Sequence, residues 1–154
     1  MGAHPYWYFV PYEDDFEAAL QKLRLREFQA GRYNPVTPFQ TFPVDLSAPA
    51  AGAKHASIEQ VMEQGDEAGT RSILDIAQVA PAPFDGSGMP FMTAFPLAPS
   101  DVEGLFGTSK PTRKEVETNQ PMWDRIERGS AVYTVIFDEG GKPHEIFFGG
   151  YSFD

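Results

Sequence analysis

The spacing of apolar and polar positions predicts strands at both ends of the chain. Residues 4–12 are rich in aromatic side chains and are bracketed by prolines, which is typical of a strand. The apolar runs 131–137 and 144–148 flank a glycine-bearing segment at 138–142, and this pattern indicates a β-hairpin. Residues 71–79 predict another strand, and their successive apolar side chains favour a central position in a sheet.

Apolar residues at three- and four-residue steps predict helices between these strands. The clearest helix begins at Asp14, an acidic capping residue, and ends before Gly31, a residue that suits a helix C-terminus. Capping-box sequences beginning at Ser57, Ser100 and Thr112 predict three shorter helical segments, and a proline interrupts the last of these patterns.

The order of these elements predicts the fold class. We expect an α+β fold with a mainly antiparallel sheet of about four or five strands, with helices packed on one face, closed by the C-terminal β-hairpin. The length of 154 residues predicts a single domain over residues 1–154. Two long Pro/Gly-rich loops, at about 32–57 and 80–99, are unusual in a compact domain, so each is expected to be functional or mobile.

The charge of the chain restricts its partners. The net charge is −10, and residues 45–103 carry nine acidic side chains against two basic ones. Nucleic acid is therefore not expected as a partner, because phosphate contacts require clustered lysine and arginine. The negative charge would suit a basic protein partner or a cation, although a solvated acidic surface is the preferred interpretation of the acidic run.

The absence of cysteine excludes disulfides, thiolate metal sites and cysteine nucleophiles. It agrees with a reducing cytoplasm, which is the expected location. Neither a signal peptide nor an apolar run of about 18 residues is present, so no membrane association is expected. The sequence contains no recognisable cofactor motif, and no cofactor is predicted.

Five polar residues form the candidate binding site. Arg32, Tyr33 and Asn34 follow the first predicted helix, and Arg71 and Asp75 lie on the predicted second strand. A spacing of four residues would put Arg71 and Asp75 on the same face of a regular strand. Charged groups on an apolar strand require partners, so the pair is either a structural ion pair, a solvated strand end, or a site that holds a small anion.

The three histidines give little support for a metal site. His4, His55 and His144 lack metal-ligand spacing. If the initiator methionine is removed, the amine of Gly2, the amides of Ala3 and His4, and the His4 imidazole could form a square-planar copper or nickel site. The alternative interpretation is that His4 simply precedes the first strand.

Three functions remain open from the sequence. The preferred one is a non-enzymatic protein-interaction or binding module, for example an acidic immunity or inhibitor-type protein that covers a basic site. The second is a small enzyme or small-anion-binding protein with a dispersed site around Arg71 and Asp75. The third is a homo-oligomer joined through exposed aromatic residues. The aromatic side chains of the first strand could form a stacking surface, but core packing explains them better without a basic stripe beside them.

Overall fold

The computed structural model describes residues 3–65, 69–88 and 90–153, and these form four α-helices and one five-stranded sheet. The helices are α1 (Phe16–Ala30), α2 (Ile58–Gln64), α3 (Pro99–Phe106) and α4 (Arg113–Glu117), with 3-10 turns at Ile73–Asp75 and Pro121–Arg125. The strands are β1 (Pro5–Pro11), β2 (Gln78–Val79), β3 (Thr93–Pro96), β4 (Ala131–Phe137) and β5 (Pro143–Tyr151).

The sheet is mixed, in the order β1-β5-β4-β3-β2. Strand β5 is antiparallel to both β1 and β4, whereas β3 is parallel to both β4 and β2. The α+β class is therefore confirmed, but the prediction of a mainly antiparallel sheet is wrong. The segment between β3 and β4 contains α3, α4 and a 3-10 turn, which is long enough for a parallel crossover. The strand pattern alone does not encode strand direction.

Both faces of the sheet are covered, so the prediction of helices on one face is also wrong. One face packs against α1, with Tyr6 and Tyr8 of β1 among its buried residues. The other face packs against α4 and the Pro121–Arg125 turn, and includes Val132 of β4 and Phe147 of β5. Strands with apolar side chains on both faces expose a large apolar area until each face is covered.

The predicted strand at residues 71–79 is mostly not a strand. The Ser72 side chain accepts a hydrogen bond from the Leu74 amide, and this cap begins the 3-10 turn Ile73–Asp75. Only Gln78–Val79 pairs with the sheet, and it does so at an edge. The prediction failed because a short run of buried apolar residues has the same appearance in a strand and in a packed turn.

Most helix ends lie at or next to the predicted capping residues. The prediction for α3 is wrong, because its N-cap is Ala98 and Ser100 lies inside the helix. The N-cap of α1 is Asp15 and not Asp14, and its carboxylate accepts a hydrogen bond from the Ala18 amide. Thr112 forms the predicted capping box at the start of α4. Gly31 ends α1 in the left-handed conformation, with φ of 74°. Local hydrogen bonding fixes these ends, which explains why the sequence predicts them well.

Replacement of Gly31 by alanine is expected to lower the free energy of unfolding by about 2 kcal/mol or more. A Cβ atom there would lie 2.2 Å from the backbone oxygen of Gly52, whose amide donates to Ala30 O at 2.9 Å. Gly107 provides a matched control, because it ends α3 with the same φ of 74° but has no atom within 4 Å of its Cβ position. Equal losses for Gly31→Ala and Gly107→Ala in urea titrations would show that the contact with Gly52 is unimportant.

Candidate functional site

Two of the five predicted site residues, Asn34 and Arg71, connect the loop at residues 31–57, called the long loop below, to the segment around the first 3-10 turn. Asn34 makes the most direct connection. Its backbone amide donates to Thr70 O at 2.8 Å, and its side-chain amide donates to Gly69 O at 3.0 Å. These bonds hold the beginning of the long loop against residues 69–76 and leave Asn34 with a structural role there.

Arg32 binds a buried carboxylate that the sequence did not indicate. Its guanidinium donates to both oxygens of Glu27, at 2.9 and 2.6 Å, and Arg26 donates to Glu27 Oε2 at 2.9 Å. The hydrogen bond to Glu27 raises the pKa of Arg32. Glu27 is fully buried, and its charge is compensated by two arginines. Arg32 therefore lies in an ion-pair network, apart from Arg71.

Tyr33 anchors both ends of the long loop. Its ring is fully buried and stacks on Phe28, with a centroid distance of 5.9 Å. Its hydroxyl lies 2.8 Å from His55 Nδ1 and accepts a hydrogen bond from the Lys54 amide at 3.2 Å. The position of Tyr33 after α1 thus holds a segment twenty residues further along the chain.

Asp75 is directed into the interior. It accepts a hydrogen bond from the Thr70 amide at 2.8 Å and has no exposed surface. Burial raises the pKa of Asp75 to about 6, and the hydrogen bond from the Thr70 amide opposes this shift only in part. In the described part of the chain, Asp75 Oδ2 and the Tyr6 hydroxyl are buried without a hydrogen-bond partner. The negative charge of Asp75 contributes, after burial, to the raised pKa of Tyr6.

Arg71 extends away from Asp75 toward the long loop. Its backbone adopts a positive φ of 53°, its Nη1 donates to Pro38 O at 3.4 Å, and its guanidinium lies 5.1 Å from the ring centroid of Phe39. The predicted alignment of Arg71 and Asp75 on one face of a strand is therefore wrong, because the residues between them form a 3-10 turn. A role of these two residues in binding stays a prediction.

The long loop presents two large apolar side chains to solvent. Phe39 is 76% exposed and Leu46 is 60% exposed. Phe39 also lies 6.1 Å from the ring of His4, so a cation and an imidazole flank it. A pocket of about 280 Å³ opens within the long loop and includes Arg32, Phe39 and Asp45 in its lining. We call Phe39, Leu46 and this pocket the loop surface.

The N-terminal copper or nickel site falls partly outside the described residues, because Gly2 is not among them. The backbone amide of His4 donates to Ser152 Oγ at 3.1 Å, and His4 O accepts from the Ser152 amide at 3.0 Å. A square-planar site would require the His4 amide nitrogen as a ligand and would break the first of these bonds. Within residues 3–65, 69–88 and 90–153, no group of three or more His, Asp or Glu side chains is arranged to hold a metal ion.

A second site was missed in the sequence. A pocket of about 310 Å³, called the aromatic pocket below, lies on the face of the sheet opposite α1. Its lining residues are Pro5, Trp7, Val116, Glu117, Gln120, Met122, Trp123, Phe147 and Tyr151. The sequence favours core packing for the aromatic residues of the first strand, which include Trp7. Gly149 pairs with Trp7, and the Phe147 ring fills the space beside it, so no local pattern in the sequence marks the pocket.

Comparisons with known proteins do not identify a relative. No family model matches the chain, and no curated protein or solved structure is significantly similar to it. Among the described residues, no helix has the length and apolar character needed to cross a bilayer. The function must therefore be inferred from the two surfaces themselves.

Proposed function

We propose that this chain is a non-enzymatic protein-interaction module, for example an immunity or inhibitor-type protein, that contacts its partner through the loop surface. The observation that carries the proposal is the 76% exposure of Phe39 within a segment held by the bonds of Asn34, Tyr33 and Gly52. An exposed aromatic side chain on a held loop loses little conformational entropy on binding. Long loops inside compact domains are often functional.

A basic partner fits the charge of the chain. The net charge of −10 would steer a positively charged protein toward this one and accelerate association at low ionic strength. Asp45 on the long loop and Glu59 and Glu63 on α2 are exposed acidic residues that such a partner could contact. A cysteine-free chain suits a reducing compartment, and we expect the interaction to occur in the cytoplasm.

A second candidate is a small enzyme or small-anion-binding protein that uses Arg71 and Asp75. The raised pKa of Asp75 favours it, because such shifts concentrate at functional sites. The inward direction of Asp75 and the contacts of Arg71 with Pro38 and Phe39 count against it. Neither residue lines the loop-surface pocket or the aromatic pocket. We therefore rank this function below the interaction module.

The loop surface can be tested by replacing its two exposed apolar side chains with serine. We expect affinity capture from native cells to recover a basic protein with the unmodified chain, in a salt-dependent manner. The double variant Phe39→Ser/Leu46→Ser should lose at least about tenfold in affinity for that protein. Leu25→Ser is the matched control, because Leu25 is 49% exposed on α1, outside the long loop.

Two outcomes would contradict this proposal. Equal capture by the double variant and the Leu25→Ser control would show that the loop surface is not the contact. Recovery of no basic partner at low ionic strength would remove the basis for an interaction module. Light scattering on the same samples distinguishes a homo-oligomer, whose mass would fall to that of the monomer in the double variant.

A further inference from the structure

Three aromatic rings that line the pocket contact one another edge to face. The rings of Trp7 and Trp123 have a centroid distance of 5.8 Å and an interplanar angle of 68°. The rings of Trp123 and Tyr151 are 5.3 Å apart at 67°. All three residues are partly exposed, whereas Met122 and Val116 behind them are buried. The pocket thus joins an apolar interior to an opening lined by aromatic rings.

Gly149 lets two of the lining rings pack closely against β5. It lies beside Trp7 in the sheet, and a Cβ atom there would lie 2.5 Å from Phe147 Cζ and 3.4 Å from Trp123 Cη2. The missing side chain lets the phenyl and indole rings approach the backbone of β5. Since these rings are packed against each other, the pocket exists before any ligand binds, which lowers the cost of binding.

Negative charge accompanies the aromatic rings. Glu117 of α4 lines the pocket and is exposed to solvent. Burial raises the pKa of Tyr151, and the negative charge of Asp124 raises it further. The same face of the sheet already holds one cation on an aromatic ring, because the Arg113 guanidinium lies 4.1 Å from the centroid of Phe9.

We propose that the aromatic pocket binds an alkylammonium group, either a quaternary ammonium head or a lysine side chain. The face of an indole or phenol ring attracts a cation within about 6 Å, and tryptophan is the strongest of these partners. The methyl or methylene groups of such a cation fit the apolar lining, and Glu117 supplies the opposite charge at the opening. A volume of about 310 Å³ is at the lower end of small-ligand pockets and suits a compact head group.

This proposal is independent of the loop surface, since the two sites share no lining residue. It can therefore hold if no protein partner is found. It can also fail while the interaction module is retained. The proposed ligand of the aromatic pocket is an organic cation. The experiment distinguishes a free small molecule from a lysine side chain of a protein.

The two tryptophans of the chain both line the pocket, so intrinsic fluorescence reports its occupancy directly. Choline and 3,3-dimethylbutan-1-ol are matched probes, because the second has a neutral carbon in place of the positively charged nitrogen of choline. We expect choline to quench the fluorescence saturably with a dissociation constant of about 1 mM. The uncharged isostere should bind at least about tenfold more weakly.

Two variants test the charge. Glu117→Gln should weaken choline binding about fivefold. Glu139→Gln, which removes the same charge from an exposed position between β4 and β5, should leave it unchanged. Trp123→Leu should abolish the choline response while Trp7 still emits. Thermal unfolding of each variant shows whether a loss of choline binding is caused by misfolding. If Trp123→Leu does not fold, Tyr151→Leu takes its place.

Short peptides that carry trimethyllysine or norleucine identify the source of the cation. A trimethyllysine peptide that binds tighter than choline, with no binding of the norleucine peptide, supports a protein side chain. Tighter binding of choline supports a free small molecule. Equal binding of choline and its uncharged isostere would overturn the proposal, because the pocket would then be a purely apolar site. The absence of saturable quenching by either cation would overturn it as well.

Discussion

Replacement of Glu27 by alanine is expected to lower the free energy of unfolding by about 3 kcal/mol. The side chain is fully buried and accepts three hydrogen bonds from the guanidinium groups of Arg26 and Arg32. Without the carboxylate, Arg32 keeps its position at the beginning of the long loop but has lost the charge that compensates it. Arg32 is only 15% exposed, so water can replace that carboxylate only in part. The loss of stability arises at the junction between α1 and the long loop.

Urea titration with a double-mutant cycle measures this effect. Arg32→Ala alone should also destabilise, and the double variant Glu27→Ala/Arg32→Ala should lose less than the sum of the two single losses, since the pair is broken only once. Glu63→Ala, which removes an exposed glutamate of α2, is the control and should change stability by less than about 0.5 kcal/mol. Strict additivity of the two single losses would refute the coupling.

Replacement of Asp75 by asparagine is expected to remove a pH dependence of stability between about pH 4 and pH 6. Burial raises the pKa of Asp75 from 3.8 to about 6 in the folded state, so in this interval the folded protein binds more protons than the unfolded chain. Stability therefore falls as the pH rises through the interval and is constant above it. The shift corresponds to a loss of about 3 kcal/mol from low to neutral pH.

The difference in unfolding free energy between the unmodified protein and Asp75→Asn isolates this group from the other carboxylates. We expect this difference in unfolding free energy to decrease as the pH rises from about 4 to 6. Asp85→Asn is the control, because Asp85 is exposed and its hydrogen bonds with Ser87 lower its pKa. The Asp85→Asn variant should show the same decrease in unfolding free energy between pH 4 and 6 as the unmodified protein. A difference that does not change with pH would mean that Asp75 is ionised normally in the folded protein.

The two buried carboxylates illustrate two ways of placing an acid in an interior. Glu27 is paired with two arginines. Asp75 accepts a hydrogen bond from the Thr70 amide, and burial raises its pKa to about 6. We therefore expect Asp75 to change its protonation state near pH 6. If the second candidate function is correct, this is the group that would exchange a proton.

Helix positions were predicted well from the sequence because local bonds determine them. Two helices begin at the N-caps Ser57 and Thr112, and α1 ends at the C-cap Gly31. Each cap makes its contacts within a few residues. The first strand was also located correctly, and its apolar residues on both faces already indicated that each face needs cover. Helices on a single face would therefore leave the other apolar face of the sheet exposed.

The candidate site was only partly predictable. Arg32, Tyr33 and Asn34 are predicted binding residues, and that role stays a prediction. In the structure their partners are Glu27, His55 and the backbone of residues 69–70. No local pattern connects positions so distant in sequence. The aromatic pocket was missed for the same reason, because its rings come from β1, β5 and the Pro121–Arg125 turn.

The sequence by itself determined the α+β class, most of the helix ends, the first strand and the net charge of −10. These properties depend on side-chain periodicity, on capping bonds between near neighbours and on composition. Only the tertiary structure decided the strand directions, the 3-10 turn at Ile73–Asp75, the partners of the buried charges and the existence of the aromatic pocket. Each of these depends on which distant surfaces pack together, and packing energy is shared among residues that no short window contains.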